Sequence, residues 1–446
     1  LRVLRRRDTL ALAFGAMIGW SWVLMTGEWL TRAGTAGAMM AFAAGGAVMV
    51  CIALAYAELA SALPETGGEH VYSLRALGPG ASFVCSWAIV LGYVSVAAFE
   101  AVALPYALTA LIPGLDRGYL WTIRGFDVHA SFVACGIAGA VFVTWVNVRG
   151  VGESARLQNV ATTFIISVGL VFLFGAVRTG EPANLVPLFA DGAAGIAAVL
   201  IMIPIMFVGF DVIPQAAAEI DVPHRALGQL IVLSVLCAMA WYCAMLAGVA
   251  YVLPPAERGL PGMTTAVASA RAWGAAWGGQ LLVAGGIAGI LTTWNAFMVG
   301  ASRLVYALAA SGMLPAPLAR LHPRHGTPHV ALIAIGALTC CAPWFGRPVL
   351  IWLVNAGSLG VIVGYLLVTV SFLRLRTREP SLPRPYAVKR WRLVGGTAVV
   401  LSLALIALYL PGSAAALTAS EWAICGAWTV LGILFFRRHR AVSADR

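Results

Sequence analysis

The sequence is poor in charged residues and contains almost no lysine. Of its 446 residues, 11% are charged, whereas a typical soluble domain has about 25%. Lys389 is the single lysine, and every other basic residue is an arginine. A catalytic lysine within a membrane span is therefore excluded. So few charges also argue against a soluble enzyme or a disordered chain.

Motifs of common enzyme classes and metal sites are also missing. The sequence has no Walker loop, no HExxH and no GxSxG, so nothing predicts ATP use or hydrolysis. Its eight cysteines form no CxxC pair and have no histidine at ligand spacing. Free cysteine behaves as a small hydrophobic residue. We therefore expect no disulfide, no metal site, no cofactor and no enzymatic activity.

Long apolar runs dominate the chain instead. Hydrophobic residues make up 61% of it and the mean hydropathy is +0.89, and about 20 apolar residues suffice to span a bilayer. We predict an all-α polytopic membrane protein with about twelve spans. These are residues 9–32, 36–62, 81–112, 131–147, 156–177, 193–220, 227–253, 274–310, 329–345, 348–375, 393–411 and 418–436.

The basic residues lie in short loops and tails between these runs. The net charge is +11, but this distribution indicates membrane topology and not nucleic-acid binding. With the N-terminus inside, 22 of the 29 basic residues fall on the inner side. We therefore expect both termini to be cytoplasmic, in a plasma (bacterial inner) membrane. The expected partners are lipid and a small molecule, and no obligate protein partner is inferred.

Two of the predicted spans contain helix-breaking residues. Span 1 carries Gly15 and Gly19, and span 6 carries Pro204, Gly209 and Pro214. Broken backbone in a bilayer is tolerated only where it is buried in protein or lines a cavity. Breaks five spans apart indicate a transporter built from two inverted repeats. We expect the repeats to be residues 1–177 and 193–376, followed by spans 11–12 and a tail in residues 392–446.

Four motifs in this order resemble the amino acid–polyamine–organocation (APC) superfamily of transporters. They are Gly15-Ala16-Met17-Ile18-Gly19; Tyr56-Ala57-Glu58-Leu59 with Leu63-Pro64-Glu65-Thr66-Gly67-Gly68; Phe207-Val208-Gly209-Phe210-Asp211 with Ala218-Glu219-Ile220-Asp221-Val222-Pro223-His224-Arg225; and Asn295-Ala296, Ala301-Ser302-Arg303-Leu304-Val305-Tyr306-Ala307-Leu308-Ala309 and Gly312-Met313-Leu314-Pro315. The resemblance implies a leucine-transporter-like 5+5 fold. It also implies that substrate binds between the broken helices 1 and 6.

The polarity of the two breaks fits a zwitterionic substrate. The first break frees amides at a half-helix N-terminus, which attracts a carboxylate. The second frees carbonyls at a half-helix C-terminus, which attract an ammonium group. The expected substrate-binding residues are Ile18, Gly19, Trp20, Ser21, Ile205, Met206, Phe207, Val208 and Gly209, with Tyr93 and Glu100 of span 3.

The first break departs from the glycine-rich pattern of the family. Trp20 and Ser21 follow Gly19 where a small residue and a glycine are usual. The Ser21 hydroxyl could donate to a carboxylate, although serine restricts the backbone more than glycine does. Trp20, with Trp22 and Trp29, either packs the core or offers a cation–π surface to an ammonium group.

Four of the carboxylates within predicted spans are candidates for a functional role, because an unpaired charge there is costly. Asp211 is a candidate gate or proton-sensitive group, or else a cap of the second half-helix. Glu58 is an inner-gate or structural residue, and Arg303 is its candidate partner. Glu100 could form a negative wall with Asp211 for an organic cation or polyamine, or could bind a proton. Glu28 either has a similar role or simply reaches water.

The coupling ion is left open by the residues. Some family members carry a lysine on span 5, and Ile165 lies near that place here. Thr292 and Thr293 could offer oxygens to a sodium ion, or could bond back to their own helix. No histidine lies deep in a span, so a proton would have to use a carboxylate. We expect a secondary transporter of an amino acid or related amine; the alternatives are an organic-cation transporter and a sensor or channel on this scaffold.

Overall fold

The computed structural model describes residues 2–260, 262–413 and 416–444, with side chains described as far as residue 437. The protein is 77% helical, which confirms the predicted all-α class. Its helices are α1 (Arg6–Ile18), α2 (Ser21–Leu24), α3 (Thr26–Ala62), α4 (Glu69–Leu77), α5 (Pro79–Thr109), α6 (Ala130–Arg149), α7 (Val151–Thr179), α8 (Gly192–Leu200), α9 (Ile203–Met206), α10 (Val212–Gln215), α11 (His224–Val252), α12 (Pro255–Arg258), α13 (Thr264–Trp273), α14 (Ala276–Ala310), α15 (His329–Cys341), α16 (Pro348–Arg378), α17 (Trp391–Tyr409) and α18 (Ala419–Ala444).

In the described residues, nine helices are long and apolar enough to cross a membrane. They correspond to nine of the predicted spans. The other three are interrupted or short. Span 1 is divided among α1, α2 and the start of α3, and span 6 among α8, α9 and α10. Span 9 is α15 followed by a 3₁₀ turn over Ala342–Phe345.

Local sequence explains where the helices begin and bend. The backbone N–H of Arg5 donates to the Asp8 carboxylate over 2.8 Å, which caps the start of α1. Pro79 occupies the first turn of α5, where its missing N–H has no intrahelical partner to lose. Gly34, with φ of +74°, separates the first and second spans inside α3.

Helices α5 and α14 form the buried centre of the bundle. In each, 83% of the most apolar 18-residue window is buried, against 17% or less in α17 and α18. Two glycines show how closely neighbouring elements approach α14. A Cβ at Gly300 would lie 2.7 Å from the Tyr93 ring, and one at Gly289 would lie 2.0 Å from the Gly19 carbonyl oxygen.

A buried polar network joins the centre to α6 and α7. The Asn295 side-chain amide donates to Gln158 Oε1 over 2.8 Å. Its Oδ1 accepts from Asn147 at 2.8 Å and from Ser154 at 2.9 Å. Gln158 in turn donates to the Ala11 carbonyl of α1 over 3.1 Å. A set of satisfied hydrogen bonds of this kind fixes the relative position of four helices.

Two elements were not predicted from the sequence. An antiparallel hairpin, β1 (Tyr119–Ile123) and β2 (Phe126–His129), lies between α5 and α6. Helix α13 precedes α14 and lies between predicted spans 7 and 8. Its Thr265 hydroxyl donates to the Trp22 carbonyl over 2.7 Å, so α13 contacts α2, the short helix that follows the first break.

Candidate functional site

The two backbone breaks lie against each other in the interior. The contact is at Gly209, whose φ is +135°. A Cβ on Gly209 would lie 2.6 Å from the Ala16 side chain and 3.2 Å from the Met17 backbone nitrogen. Only glycine has both this backbone freedom and this lack of bulk. The sequence placed the breaks five spans apart, and the structure brings them into contact.

The first break is a two-residue interruption after α1. Gly19 leaves the helix with φ of +46°, and Trp20 leads into α2. The carbonyl of Gly19 accepts the indole N–H of Trp22 over 3.1 Å. The four residues named from the sequence, Ile18 to Ser21, therefore do surround an interruption of the helix.

Tyr242 of α11 holds the first break, and it was not identified from the sequence. Its hydroxyl donates to the Met17 carbonyl over 2.8 Å and lies 2.9 Å from the Ser21 hydroxyl. The Ser21 hydroxyl thus already has a protein partner. A lone tyrosine in an apolar helix carries no sequence signal that would connect it to a break more than 200 residues away.

The three tryptophans near the first break are packed in the core. Trp20 is 8% exposed, and Trp22 and Trp29 are fully buried. A Cβ on Gly286 would lie 2.3 Å from the Trp20 ring, so Trp20 packs closely against α14. Trp29 contacts the rings of Phe42 and Tyr242. The packing interpretation describes these contacts well, while a cation–π role of Trp20 stays a prediction.

The second break is longer than the first. Helix α9 ends at Met206 and α10 begins at Val212. The Ile205 carbonyl was expected to be free, but it accepts the Val208 N–H over 3.3 Å. Phe207 is fully buried, and its ring lies 5.9 Å from that of Tyr242. The side chains of Ile205 and Val208 line a small cavity shared with α3, α16 and α17.

Asp211 is buried and both of its carboxyl oxygens have partners. Tyr93 of α5 donates its hydroxyl to one oxygen over 2.7 Å. The backbone N–H of Gly209 donates to the other over 2.8 Å. Asp211 does occupy the N-cap position of α10, but its side chain bonds backwards into the break and not to α10. Asp211 and Tyr93 therefore fix the geometry of the second break.

Thr292 and Thr293 face the carbonyl end of α1. The Thr292 hydroxyl lies 3.0 Å from the Gly15 carbonyl oxygen and 2.9 Å from that of Gly289 on its own helix. The Thr293 hydroxyl lies 3.2 Å and 3.3 Å from the carbonyl oxygens of Gly15 and Ala16. The hydroxyls therefore face carbonyls of α1, as a sodium site requires, and that of Thr292 also bonds back to its own helix. An all-oxygen group of this kind suits a hard cation such as sodium.

Glu100 and Glu28 occupy different environments. Glu100 is 2% exposed, and its Oε2 has no hydrogen-bond partner among the described residues. It lies seven residues, or about 10 Å of helix, beyond Tyr93 on α5. Glu28 is exposed and pairs with Arg32 one turn away, which agrees with a residue that reaches water.

The expected pairing of Glu58 with Arg303 is wrong. Glu58 accepts from Arg376 over 2.6 Å and from the Val388 backbone N–H over 2.7 Å, and Arg384 lies 3.1 Å from its other oxygen. These partners belong to α16 and to the segment before α17. Sequence motifs do not reveal that this segment folds over the end of α3, so the arginines were missed.

Arg303 instead pairs with Glu219, just beyond α10. The guanidinium makes two hydrogen bonds to the carboxylate, of 3.1 and 3.2 Å. The Glu219 carbonyl accepts the backbone N–H groups of Val3 and Leu4 at 2.8 and 3.0 Å. The Asp221 N–H donates back to the Leu4 carbonyl over 2.8 Å. These contacts tie together the start of α1, the end of span 6 and α14.

Paired helix breaks inside a polytopic bundle define a class of membrane transport protein, and comparison with known sequences agrees. The pattern of the amino acid permease family matches residues 4–435. The chain belongs to the amino acid permease family of the APC superfamily, which confirms the resemblance inferred from the four motifs.

Its curated relatives have different substrates in their names. A branched-chain amino acid permease of Bacillus subtilis is 28% identical and aligned over 90% of this chain and 86% of its own. An aspartate-proton symporter of the same organism is 26% identical over 90% and 78%. The mouse cationic amino acid transporter 4 is 26% identical over 86% and 61%. These relatives support amino acid transport as the general function.

Proposed function

We propose that this protein is a secondary active transporter that moves an amino acid or related amine across the plasma membrane by alternating access. The observation that carries the proposal is the contact between the two helix breaks at Gly209 and Ala16–Met17. A substrate held between them meets amides at one break and carbonyls at the other. These are opposite partial charges, as a zwitterion requires.

Residues around the breaks supply the expected specificity. We infer that the amides of Gly19, Trp20 and Ser21 hold the carboxylate, and that carbonyls of Met206 and Phe207 hold the ammonium group. The rings of Phe207, Tyr242 and Phe42 contact one another beside the breaks. They offer an apolar surface to a substrate side chain.

The driving force is a proton gradient, a sodium gradient or exchange. A sodium ion would use the oxygen group of Gly15, Ala16, Thr292 and Thr293. A proton would use a carboxylate. The named activities of the relatives include proton symport, which supports the proton-coupled form.

Uptake by the purified protein in proteoliposomes tests the proposal. Labelled leucine, aspartate, arginine and the diamine putrescine would be offered with an inward pH gradient, with a sodium gradient, or to vesicles preloaded with amino acid. We expect at least one α-amino acid to accumulate above protein-free vesicles and to raise the melting temperature. If no amine-bearing compound is carried or stabilises the protein, the proposal fails.

A second candidate function rests on Glu100, the buried carboxylate of α5 that has an unpartnered oxygen. Such a group could hold the second ammonium of a diamine or the charge of an organic cation. Replacing Glu100→Gln would then reduce putrescine uptake by tenfold or more and leave leucine uptake intact. Unchanged uptake and pH dependence in this variant would remove Glu100 from the mechanism.

A further inference from the structure

Glu69, at the start of α4, is a buried carboxyl group whose two oxygens lack partners. Its side chain is fully buried, and neither oxygen has a hydrogen-bond partner among the described residues. The buried acids Glu58, Asp211 and Glu421 all have bonded oxygens. Glu69 lies outside the membrane-spanning helices and takes no part in the proposed substrate site.

The backbone beside Glu69 packs directly on span 6. A Cβ at Gly68 would lie 2.8 Å from the Pro214 side chain and 3.0 Å from its carbonyl carbon. The Gly67 N–H donates to the Gln215 carbonyl over 3.3 Å. The side-chain amide of Gln215 is itself buried and unpartnered. Glu69 therefore lies beside the contact between Pro214–Gln215, after the second break, and the loop that follows α3.

The groups around Glu69 do not supply a compensating positive charge. Those that titrate are Tyr56 of α3, His70 and Tyr72 of α4, Cys85 and Tyr93 of α5, Asp211 before α10 and Tyr365 of α16. Burial lowers the pKa of His70 to about 4, so it is neutral.

Three arginines of neighbouring helices have other partners. Arg303 of α14 pairs with Glu219, Arg376 of α16 with Glu58, and Arg75 of α4 with Glu379. No ion pair joins Glu69 to a basic residue in the described parts of the chain. An ionised carboxylate without a partner is strongly disfavoured in such surroundings, so the neutral acid fits this conformation.

We propose that Glu69 is a proton-binding site of the transport cycle, protonated in the closed arrangement seen here, in which Pro214–Gln215 packs on Gly67–Gly68, and deprotonated when these two segments separate. The inference rests on the proposed transport function. As Pro214–Gln215 moves away from Gly67–Gly68, water reaches the carboxyl group. The O–H bond breaks, the proton passes to water, and a hydrated carboxylate remains. Closure requires a proton to be bound again.

The direction of the pKa agrees with this arrangement. Burial raises the pKa of Glu69 well above its ordinary value and the nearby Asp211 carboxyl raises it further, and together they outweigh the lowering effect of the backbone and of the Tyr56 hydroxyl. A protonated carboxyl group with a raised pKa stabilises the closed arrangement, and this contribution is fully present below the ordinary glutamate pKa of about 4.3. That contribution is lost as the pH rises through the raised pKa. Glutamine at this position mimics the neutral acid but has no proton that it can release in this pH range.

The first test measures protonation without requiring transport. The melting temperature of the wild type is expected to fall as the pH rises from 5 to 9, because Glu69 must ionise in a buried site or the structure must open. The Glu69→Gln variant should lose the part of this slope that Glu69 contributes. Glu65→Gln is the matched control, because Glu65 is exposed in the same loop and should keep the wild-type slope.

The second test measures exchange of labelled amino acid in proteoliposomes at internal pH values from 5.5 to 8.5. Above the pKa of a group that must be protonated, the rate falls roughly tenfold per pH unit. Wild type and Glu65→Gln should show this fall, and Glu69→Gln should show a flat profile. Wild-type pH profiles of both melting and exchange in Glu69→Gln would overturn the inference. If no variant exchanges any amino acid, the proposed function fails, while the melting comparison still decides on Glu69.

Discussion

Single glycines determine how closely the elements of the site can approach. Gly209 contacts Ala16 and Met17, and Gly289 contacts the Gly19 carbonyl. A side chain added at either glycine would overlap with backbone atoms, and these cannot move aside as a flexible side chain can. The sequence marked Gly209 by its motif, but Gly289 is one of 48 glycines and only the fold distinguishes it.

Replacing Gly289→Ala is expected to displace the first break. The new Cβ would lie 2.0 Å from the Gly19 carbonyl oxygen, and overpacking of a core typically costs 1–3 kcal/mol. We expect a lower melting temperature and at least a tenfold loss of amino acid exchange.

Gly396→Ala on α17 is the matched control for this substitution. Its Cβ would meet no atom within 4 Å, and alanine favours a helix by about 1 kcal/mol over glycine. The control should therefore melt at the same or a higher temperature and retain exchange. Equal behaviour of the two variants would contradict a role of Gly289 in shaping the break.

At the scale of elements, ion pairs hold the ends of the helices together. Arg303 and Glu219 join α14 to the end of span 6, where Val3 and Leu4 add their backbone hydrogen bonds. Glu58 joins α3 to α16 and the segment before α17. Under the topology predicted from the arginines, both clusters lie on the cytoplasmic side of the bundle.

Removing the arginine of a buried pair should loosen these contacts. In the Arg303–Glu219 pair the side chains are 2% and 19% exposed, and breaking such a pair leaves a poorly hydrated carboxylate at a cost of about 3–5 kcal/mol. For Arg303→Ala we expect a marked drop in melting temperature. Faster hydrogen exchange at the amides of Val3, Leu4 and Asp221 should accompany it.

Arg271→Ala provides the comparison, because Arg271 pairs with Glu257 at 44% and 32% exposure. Exposed pairs contribute about 0–1 kcal/mol, so this variant should behave almost as the wild type does. If Arg303→Ala leaves hydrogen exchange at Val3, Leu4 and Asp221 unchanged, Arg303 does not hold the start of α1 against the end of span 6.

At the scale of the molecule, the arginine distribution predicts the orientation in the membrane. Short basic loops stay on the cytoplasmic side, which puts both termini inside and the β1–β2 hairpin outside. The hairpin is fixed to the 3₁₀ turn before α16: Trp121 stacks on Trp344, and its indole N–H donates to the Trp344 carbonyl over 3.1 Å. It would therefore form part of the outer surface.

Reporter fusions check this orientation. A fluorescent protein that folds only in the cytoplasm should give signal at either terminus, and alkaline phosphatase should be active when inserted between β1 and β2 at residues 124–125. Fusing the phosphatase after α4 is the control and should give no activity. A fusion at either terminus that gives no fluorescence would contradict an even number of spans with cytoplasmic ends.

The inverted repeat over residues 1–177 and 193–376 stays a prediction at this scale. The positions of the two breaks support it, since each interrupts the first span of its half. Helix α4, between spans 2 and 3, and helix α13, between spans 7 and 8, occupy corresponding places of the two halves. The β1–β2 hairpin between spans 3 and 4 has no counterpart strands between spans 8 and 9 in the described residues.

The sequence by itself determined the class, the spans and the positions of the breaks. These features depend on local properties: apolar length, proline and glycine chemistry, and the placement of arginine. Each leaves a signal within a few neighbouring residues. The family motifs added the candidate substrate site in the same way.

Only the tertiary structure decided which side chains meet. Tyr242 holds the first break, Arg303 pairs with Glu219 and not with Glu58, and Glu69 is buried beside Pro214 without a partner. Each depends on residues more than 80 positions apart, and on whether a charge finds a partner once it is buried. Burial and pairing are properties of the packed bundle, so no local sequence pattern encodes them.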